Sequence, residues 1–88
     1  MQNPVIILGA QKLGTAALDV FNSNSVVVYC FLDDSKDLQQ QEVNNVSVMS
    51  STEDNEFLKL IGQKCDVFVA LEDSAARKGV IKMLKDEY

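Results

Sequence analysis

At 88 residues, with 47% apolar residues and a formal net charge of −5, the chain has the size and composition of one small globular domain. The acidic balance, with its lysines scattered among acids, excludes a nucleic-acid face that works by displacing counterions. With no histidine and only two cysteines, Cys30 and Cys65, the chain lacks Ser-His-Asp and Cys-His catalysis and the usual zinc ligand sets.

The apolar run Val5 to Leu8 feeds into Gly9-Ala10-Gln11-Lys12-Leu13-Gly14. This pattern predicts a buried parallel strand that hands over to a helix whose N-terminus can meet a phosphate. A full dinucleotide fingerprint wants a third glycine between Gly9 and Gly14, where this chain has Gln11, Lys12 and Leu13. Beyond the turn, Leu13, Ala16, Ala17, Val20 and Phe21 fall on one helical stripe, expected to face the core. Asn22-Ser23-Asn24-Ser25 then breaks the helix.

Val26 to Leu32 reads as a second strand, continuously apolar and therefore covered on both faces, with Cys30 inside it. Asp33-Asp34-Ser35-Lys36-Asp37 stops that strand, and Gln39-Gln40-Gln41 continues as a solvated loop or a frayed helical turn. Val46-Ser47-Val48 alternates and predicts a short third strand at the sheet edge. Ser50-Ser51-Thr52, followed by Glu53 and Asp54, reads as a helix start, with Phe57, Leu60 and Ile61 as its buried stripe and Leu58 at the margin. Gly62 is expected near that helix's end and Cys65 at it. Asp66 to Leu71 is the fourth strand. Glu72-Asp73-Ser74 is a turn and N-cap, and Ala76, Val80, Met83 and Leu84 line the buried side of a last helix.

Right-handed crossovers turn this order into an α/β fold. The expectation is a small Rossmann-like three-layer domain over residues 1–88, with a parallel sheet of about four strands in the order 3-2-1-4. Its Met and Phe residues are expected in the core, and its thiols buried and reduced. The longest apolar run is far short of the ~20 residues of a membrane span. Met1-Gln2-Asn3-Pro4 lacks the basic start of a signal peptide. A cytoplasmic protein with neither a membrane nor a nucleic-acid partner is expected.

In an open parallel sheet, ligands sit beyond the carboxyl ends of the strands, where the strand order reverses. Three turns meet there: Gly9 to Gly14, Asp33-Asp34 and Glu72-Asp73-Ser74. Asp33 lies 24 residues after Gly9, near the ~20-residue offset of a ribose-binding acid. An acidic pair that merely ends a strand has the same spacing. Glu72 and Asp73 are expected to face the same crevice as Asp33 and Asp34, with Lys12 the only nearby cation, so an anion site here should be weak. No catalytic carboxylate pair is expected, because a sheet this small can hardly enclose the deep cleft such a pair needs, and no metal site, because two distant cysteines without histidine cannot close one.

These residues resemble the N-terminal domain of bacterial sugar O- and N-acetyltransferases of the bacillosamine and sialic-acid type, whose C-terminal domain is a left-handed β-helix. The family's first strand runs into Gly-Ala-Gly-Gly-His-Gly, matched in part by Gly9-Ala10-Gln11-Lys12-Leu13-Gly14. Its second strand ends in Gly-Phe-Leu-Asp-Asp, matched by Cys30-Phe31-Leu32-Asp33-Asp34. A Val-pair segment follows, here Asn45-Val46-Ser47-Val48. Its late strand precedes an Arg-containing helix, here Ala70-Leu71-Glu72-Asp73-Ser74 with Arg77.

The resemblance implies a domain that binds a nucleotide-sugar, typically a UDP-linked amino sugar, in bacterial surface-glycan or sialic-acid-type biosynthesis. Gly9, Ala10 and Gly14 would lie against the phosphates, Asp33 and Asp34 near the base, with Arg77 as a weaker match. Gln11, Lys12, Glu72 and Asp73 complete the expected substrate-binding set. Acetyl-CoA and the catalytic histidine belong to the family's β-helix domain, so this domain binds no cofactor itself. It is expected to be the N-terminal part of a longer acetyltransferase, trimeric where a β-helix domain is present. The alternative is a degenerate Rossmann-like module for assembly or positioning, with no small-molecule ligand. A dinucleotide-binding domain of a redox enzyme ranks lower, for want of the central glycine.

Overall fold

In the computed structural model, which describes residues 3–87, the run after Pro4 forms β1 (Val5–Leu8), every residue of it buried. Met1 and Gln2, at the start lacking a signal-peptide pattern, lie outside those residues. The chain continues through α1 (Lys12–Ser23), β2 (Val28–Leu32), β3 (Glu42–Val43), β4 (Val46–Ser50), α2 (Asn55–Leu58), β5 (Asp66–Val69) and α3 (Ser74–Glu87). The sheet order is β3-β4-β2-β1-β5. β1, β2, β4 and β5 are parallel, and β3 pairs antiparallel with β4.

The expected order 3-2-1-4 is therefore present as β4-β2-β1-β5, with one strand added. That strand corrects the reading of Val46–Val48 as an edge. Asn44 and Asn45 both take positive φ, 51° and 71°, and make the tight hairpin turn that folds β3 back onto β4. Val48 consequently has no exposure at all.

β1 separates two apolar layers. Val5 and Ile7 join Ala17, Leu18, Phe31 and Val48 on the α1 side. Ile6 and Leu8 join Cys30, Leu32, Leu58 and Cys65 on the side of α2 and α3. Both faces of the central strand are covered, which is why its sequence shows no alternation. β2 is less enclosed than its apolar run implies. Val5 pairs with Val28 and Ile6 with Cys30, so Tyr29 is an extra, bulged residue, half exposed. Met49 is skipped in the same way between Val48 and Ser50, and it too is exposed. Phe68, on the edge strand β5, stays 39% exposed despite an edge-on contact with Phe21. Met49 and Phe68 correct the expectation that the Met and Phe residues lie in the core.

The buried side of α1 also differs from the expected stripe. Gly14, Ala17 and Leu18 are buried and Phe21 half-buried, whereas Leu13, Ala16 and Val20 are exposed. Gly14 decides this phase. A Cβ built on it would land on the Gly9 carbonyl oxygen, so this residue must face the sheet turn whatever the hydropathy pattern favours.

The second helix is one turn long and begins later than expected. Ser50 remains in β4, Thr52 is drawn away into the sheet's end, and Asp54 becomes the N-cap, its side chain accepting from the Glu56 N–H at 3.0 Å. The Ser50 hydroxyl, ahead of the Glu56 and Phe57 backbone N–H groups, holds the Asp54 carboxyl below its usual value against the opposing effect of desolvation. The stabilisation this carries is present above the ordinary Asp range and is lost as pH falls through the lowered value. Past Leu58 the backbone bonds tighten, Leu60 to Phe57 and Ile61 to Leu58, and the chain turns at Gly62 with φ +82°, after which the N–H groups of Gln63, Lys64 and Cys65 all donate to the Leu60 carbonyl. Cys65 thus lies not at a helix end but in the bridge to Ile61 that precedes β5.

The two helical glycines make opposite predictions. Gly14→Ala should cost about 3 kcal/mol, the upper end for over-packing, because the added carbon meets backbone. Gly79→Ala in α3 meets nothing within 4 Å and should raise stability by about 1 kcal/mol through helix propensity. Urea unfolding of both variants measures the pair.

Candidate functional site

The carboxyl ends of β1, β2 and β5 open on a cleft of about 300 Å³. Gly9 and Gln11 form one wall, Asp33 the back, and Ala70, Leu71, Glu72, Asp73 and Ala76 the other wall. Of the residues singled out in the sequence, Gly9, Gln11, Asp33, Glu72 and Asp73 come together here. Ala10 and Gly14 are buried behind the wall rather than on it. Lys12, exposed on the first turn of α1, and Arg77, half-buried on the first turn of α3, do not line the cleft.

Gly9 is required at its position twice over. Its φ is +111°, a region that disfavours side chains, and a Cβ there would sit 2.5 Å from the Ala70 carbonyl oxygen. The turns after β1 and β5 therefore touch backbone to backbone at the floor of the cleft. The Gly9 N–H donates to the Leu32 carbonyl at 2.7 Å, and the Ala10 N–H donates to Asp33 Oδ2 at 2.7 Å.

The two aspartates after β2 have separate tasks. Asp33 is 4% exposed, and its second oxygen accepts from the Ser35 N–H at 2.8 Å. Asp34 does not share the crevice. Its carboxylate accepts from both the N–H and the hydroxyl of buried Thr52, at 2.9 Å each through Oδ1, and so ties β2 to the end of β4. Glu72 and Asp73 are exposed. Asp73 is the N-cap of α3, accepting from the Ala75 and Ala76 N–H groups at 2.8 and 3.2 Å. Ser74 is the first residue of that helix.

The N-terminus of α1 is arranged differently. Its N-cap, Gln11, makes no side-chain cap hydrogen bond, and no acid lies in its first turn. Its leading N–H groups carry the positive end of the helix dipole toward the cleft mouth with no carboxylate of their own to meet. The arrangement can receive an anion at one wall and repels it at the other.

Sequence reasoning missed Leu71 and read Thr52 as part of a helix cap; it placed Ala76 on the buried side of α3, whereas Ala76 is exposed and supplies, with Leu71, the apolar part of the cleft. Leu71 could have been found as the last apolar residue before the Glu72 turn. Thr52 carries no such signal, because its partner is 18 residues away. Among the described residues, no group of three or more Cys, Asp or Glu side chains is placed to hold a metal ion. No helix among them is long and apolar enough to cross a membrane. Cys30 and Cys65 are both buried and free. Burial pushes the Cys30 thiol up to about 12, with the nearby Cys65 adding to it, and burial followed by Asp66 raises Cys65. Neither is a nucleophile at neutral pH.

A family model described as the PglD N-terminal domain matches residues 4–84. No curated protein matches the chain in sequence. Among solved structures, the acetyltransferase domain of PglB from Neisseria gonorrhoeae FA1090, in complex with acetyl coenzyme A, superposes with a TM-score of 0.77 at 19% identity. The match covers 98% of this chain and 40% of that one, and at this identity the likeness is one of fold.

Two outcomes follow from this geometry. Both thiols should stay unreactive toward an aromatic disulfide reagent at pH 8 in the folded protein and react fully in denaturant. Thr52→Val should cost about 1.5–3 kcal/mol by removing a hydrogen bond to a charged group, read as a lower urea midpoint.

Proposed function

The chain belongs to the PglD N-terminal domain family, and from that premise we propose that it is the nucleotide-sugar-binding domain of a sugar acetyltransferase. The observation that carries the reading is the uncapped N-terminus of α1, opening on the cleft at the carboxyl ends of the parallel strands. A diphosphate placed there meets free backbone N–H groups and the positive end of a twelve-residue helix. Gly9 and Gly14 keep side chains out of the contact between turn and helix. Gln11 offers its amide at the mouth. Lys12, exposed one residue on, can follow a phosphate as a point charge, and Arg77, next to cleft-lining Ala76, is the second available cation. Leu71 and Ala76 give an apolar surface for the rest of the ligand, a UDP-linked amino sugar in this reading.

The same reading makes this domain the N-terminal part of a longer cytoplasmic acetyltransferase of bacterial surface-glycan or sialic-acid-type biosynthesis. The solved chain it superposes on is correspondingly longer. Acetyl-CoA and a catalytic histidine would lie in a β-helix domain outside these residues, as would the contacts of a trimer.

One observation favours the second reading, an assembly module without a ligand. The carboxylates of Asp33 and Asp34 are already engaged by the chain's own N–H and hydroxyl groups, and Glu72 and Asp73 leave negative charge on the facing wall. Calorimetric titration with UDP and UDP-N-acetylglucosamine separates the two. The first reading expects saturable heat for both. It also expects a loss of about tenfold in affinity, or about 1.4 kcal/mol, in Gln11→Glu, which sets a carboxylate at the helix end. No heat with either ligand for the unaltered chain would establish the second.

A further inference from the structure

We propose that Asp33 is a positioning residue: its carboxylate holds the glycine turn in place and thereby aims the N-terminus of α1 into the cleft, without contacting the ligand itself. The role in aiming a ligand site rests on the nucleotide-sugar reading above; the hold on the turn does not.

The chain must change direction between Ala10 and Lys12. Gln11, with φ −94° and ψ −148°, is outside the helical region and caps nothing. No side chain of the turn itself therefore fixes where α1 begins. What fixes it comes from a residue 23 positions away. Ala10 is 3% exposed, and its N–H, which cannot reach water, is met by Asp33 Oδ2 at 2.7 Å, a charge-assisted distance.

Asp33 is in turn held from several directions. Its N–H donates to the Ser50 carbonyl at 2.9 Å, Oδ1 accepts from the Ser35 N–H at 2.8 Å, and its carbonyl accepts from Gln39 Nε2 at 2.9 Å. Preceding it, the Leu32 carbonyl accepts from the Gly9 N–H. Two successive amides of the turn are thus clamped by two successive residues at the end of β2. A carboxylate with an N–H on each oxygen and 4% exposure has little left to offer a ribose or a base. It has what an uncapped helix start needs, a rigid anchor that leaves the N–H groups beyond it free.

Amide hydrogen exchange and proton shifts of Ala10, with UDP titration of the same samples, test this. In the unaltered chain the Ala10 amide should be protected and shifted downfield; an Ala10 amide exchanging at the free-peptide rate overturns the proposal without any variant. Asp33→Asn keeps the shape of the side chain but turns an NH2 toward one of the two donors. It should lower Ala10 protection at least tenfold, move its proton upfield and weaken UDP binding at least tenfold. Thr52→Val, destabilising at the end of β4, should leave the Ala10 signature and UDP affinity within twofold, which a merely global effect would not. If Asp33→Asn loses UDP affinity while the Ala10 signature stays, Asp33 is a ligand contact and the proposal is wrong. If neither changes, it is also wrong. If the unaltered chain binds no UDP, the nucleotide reading falls, and the Ala10 signature still decides the clamp.

Discussion

Three stretches of backbone meet at the carboxyl end of the sheet with no side chain between them. Gly14 in α1 abuts the Gly9 carbonyl, and Gly9 abuts the Ala70 carbonyl at the end of β5. This contact sets how closely α1 lies on the sheet, which of its residues face inward, and how near the turns after β1 and β5 approach each other. The cleft is the space left above that contact. A single methyl added at either glycine would push against backbone carbonyl groups, which cannot move aside as the end of a flexible side chain can.

Electrostatics at the same end of the sheet are divided between carboxylates that are consumed and one helix end that is not. Asp54 caps α2 and Asp73 caps α3, so each of those dipoles is met within its own turn. Asp33 and Asp34 are spent on Ala10, Ser35 and Thr52. In an acidic chain, α1 is left with its N–H groups unmet by any local acid. The charge arrangement therefore distinguishes one position for an anion, though the net charge of −5 works against it. The helix end acts at short range over its first turn, whereas Glu72 and Asp73 on the facing wall are exposed and screened by salt.

Most of the fold was legible because its signals are local or periodic. The apolar run of β1 forecast a buried parallel strand, and the strand–turn–helix order forecast parallel neighbours and their sequence. The match of Phe31-Leu32-Asp33-Asp34 pointed to the family. Hydropathy placed α1 in the chain but misjudged its rotation, since a glycine contributes almost nothing to an apolar stripe and yet Gly14 is buried against the Gly9 carbonyl. It also misread Thr52, whose hydroxyl looks like a cap until Asp34 is folded against it. The β3 strand, two residues long, is too short for any pattern to show.

By itself, then, the sequence determined the class of fold, the strand order along β4-β2-β1-β5, the location of the glycine turn and the absence of histidine chemistry. Each of these depends on residue type, on spacing within a segment, or on the order of segments along the chain. Only the tertiary structure decided which acids face the cleft, because Asp33 and Asp34 are neighbours in the chain and differ in the partner each finds across the sheet, Ala10 for one and Thr52 for the other. A carboxylate's task is set by the N–H group that reaches it, and here those N–H groups come from 23 and 18 residues away.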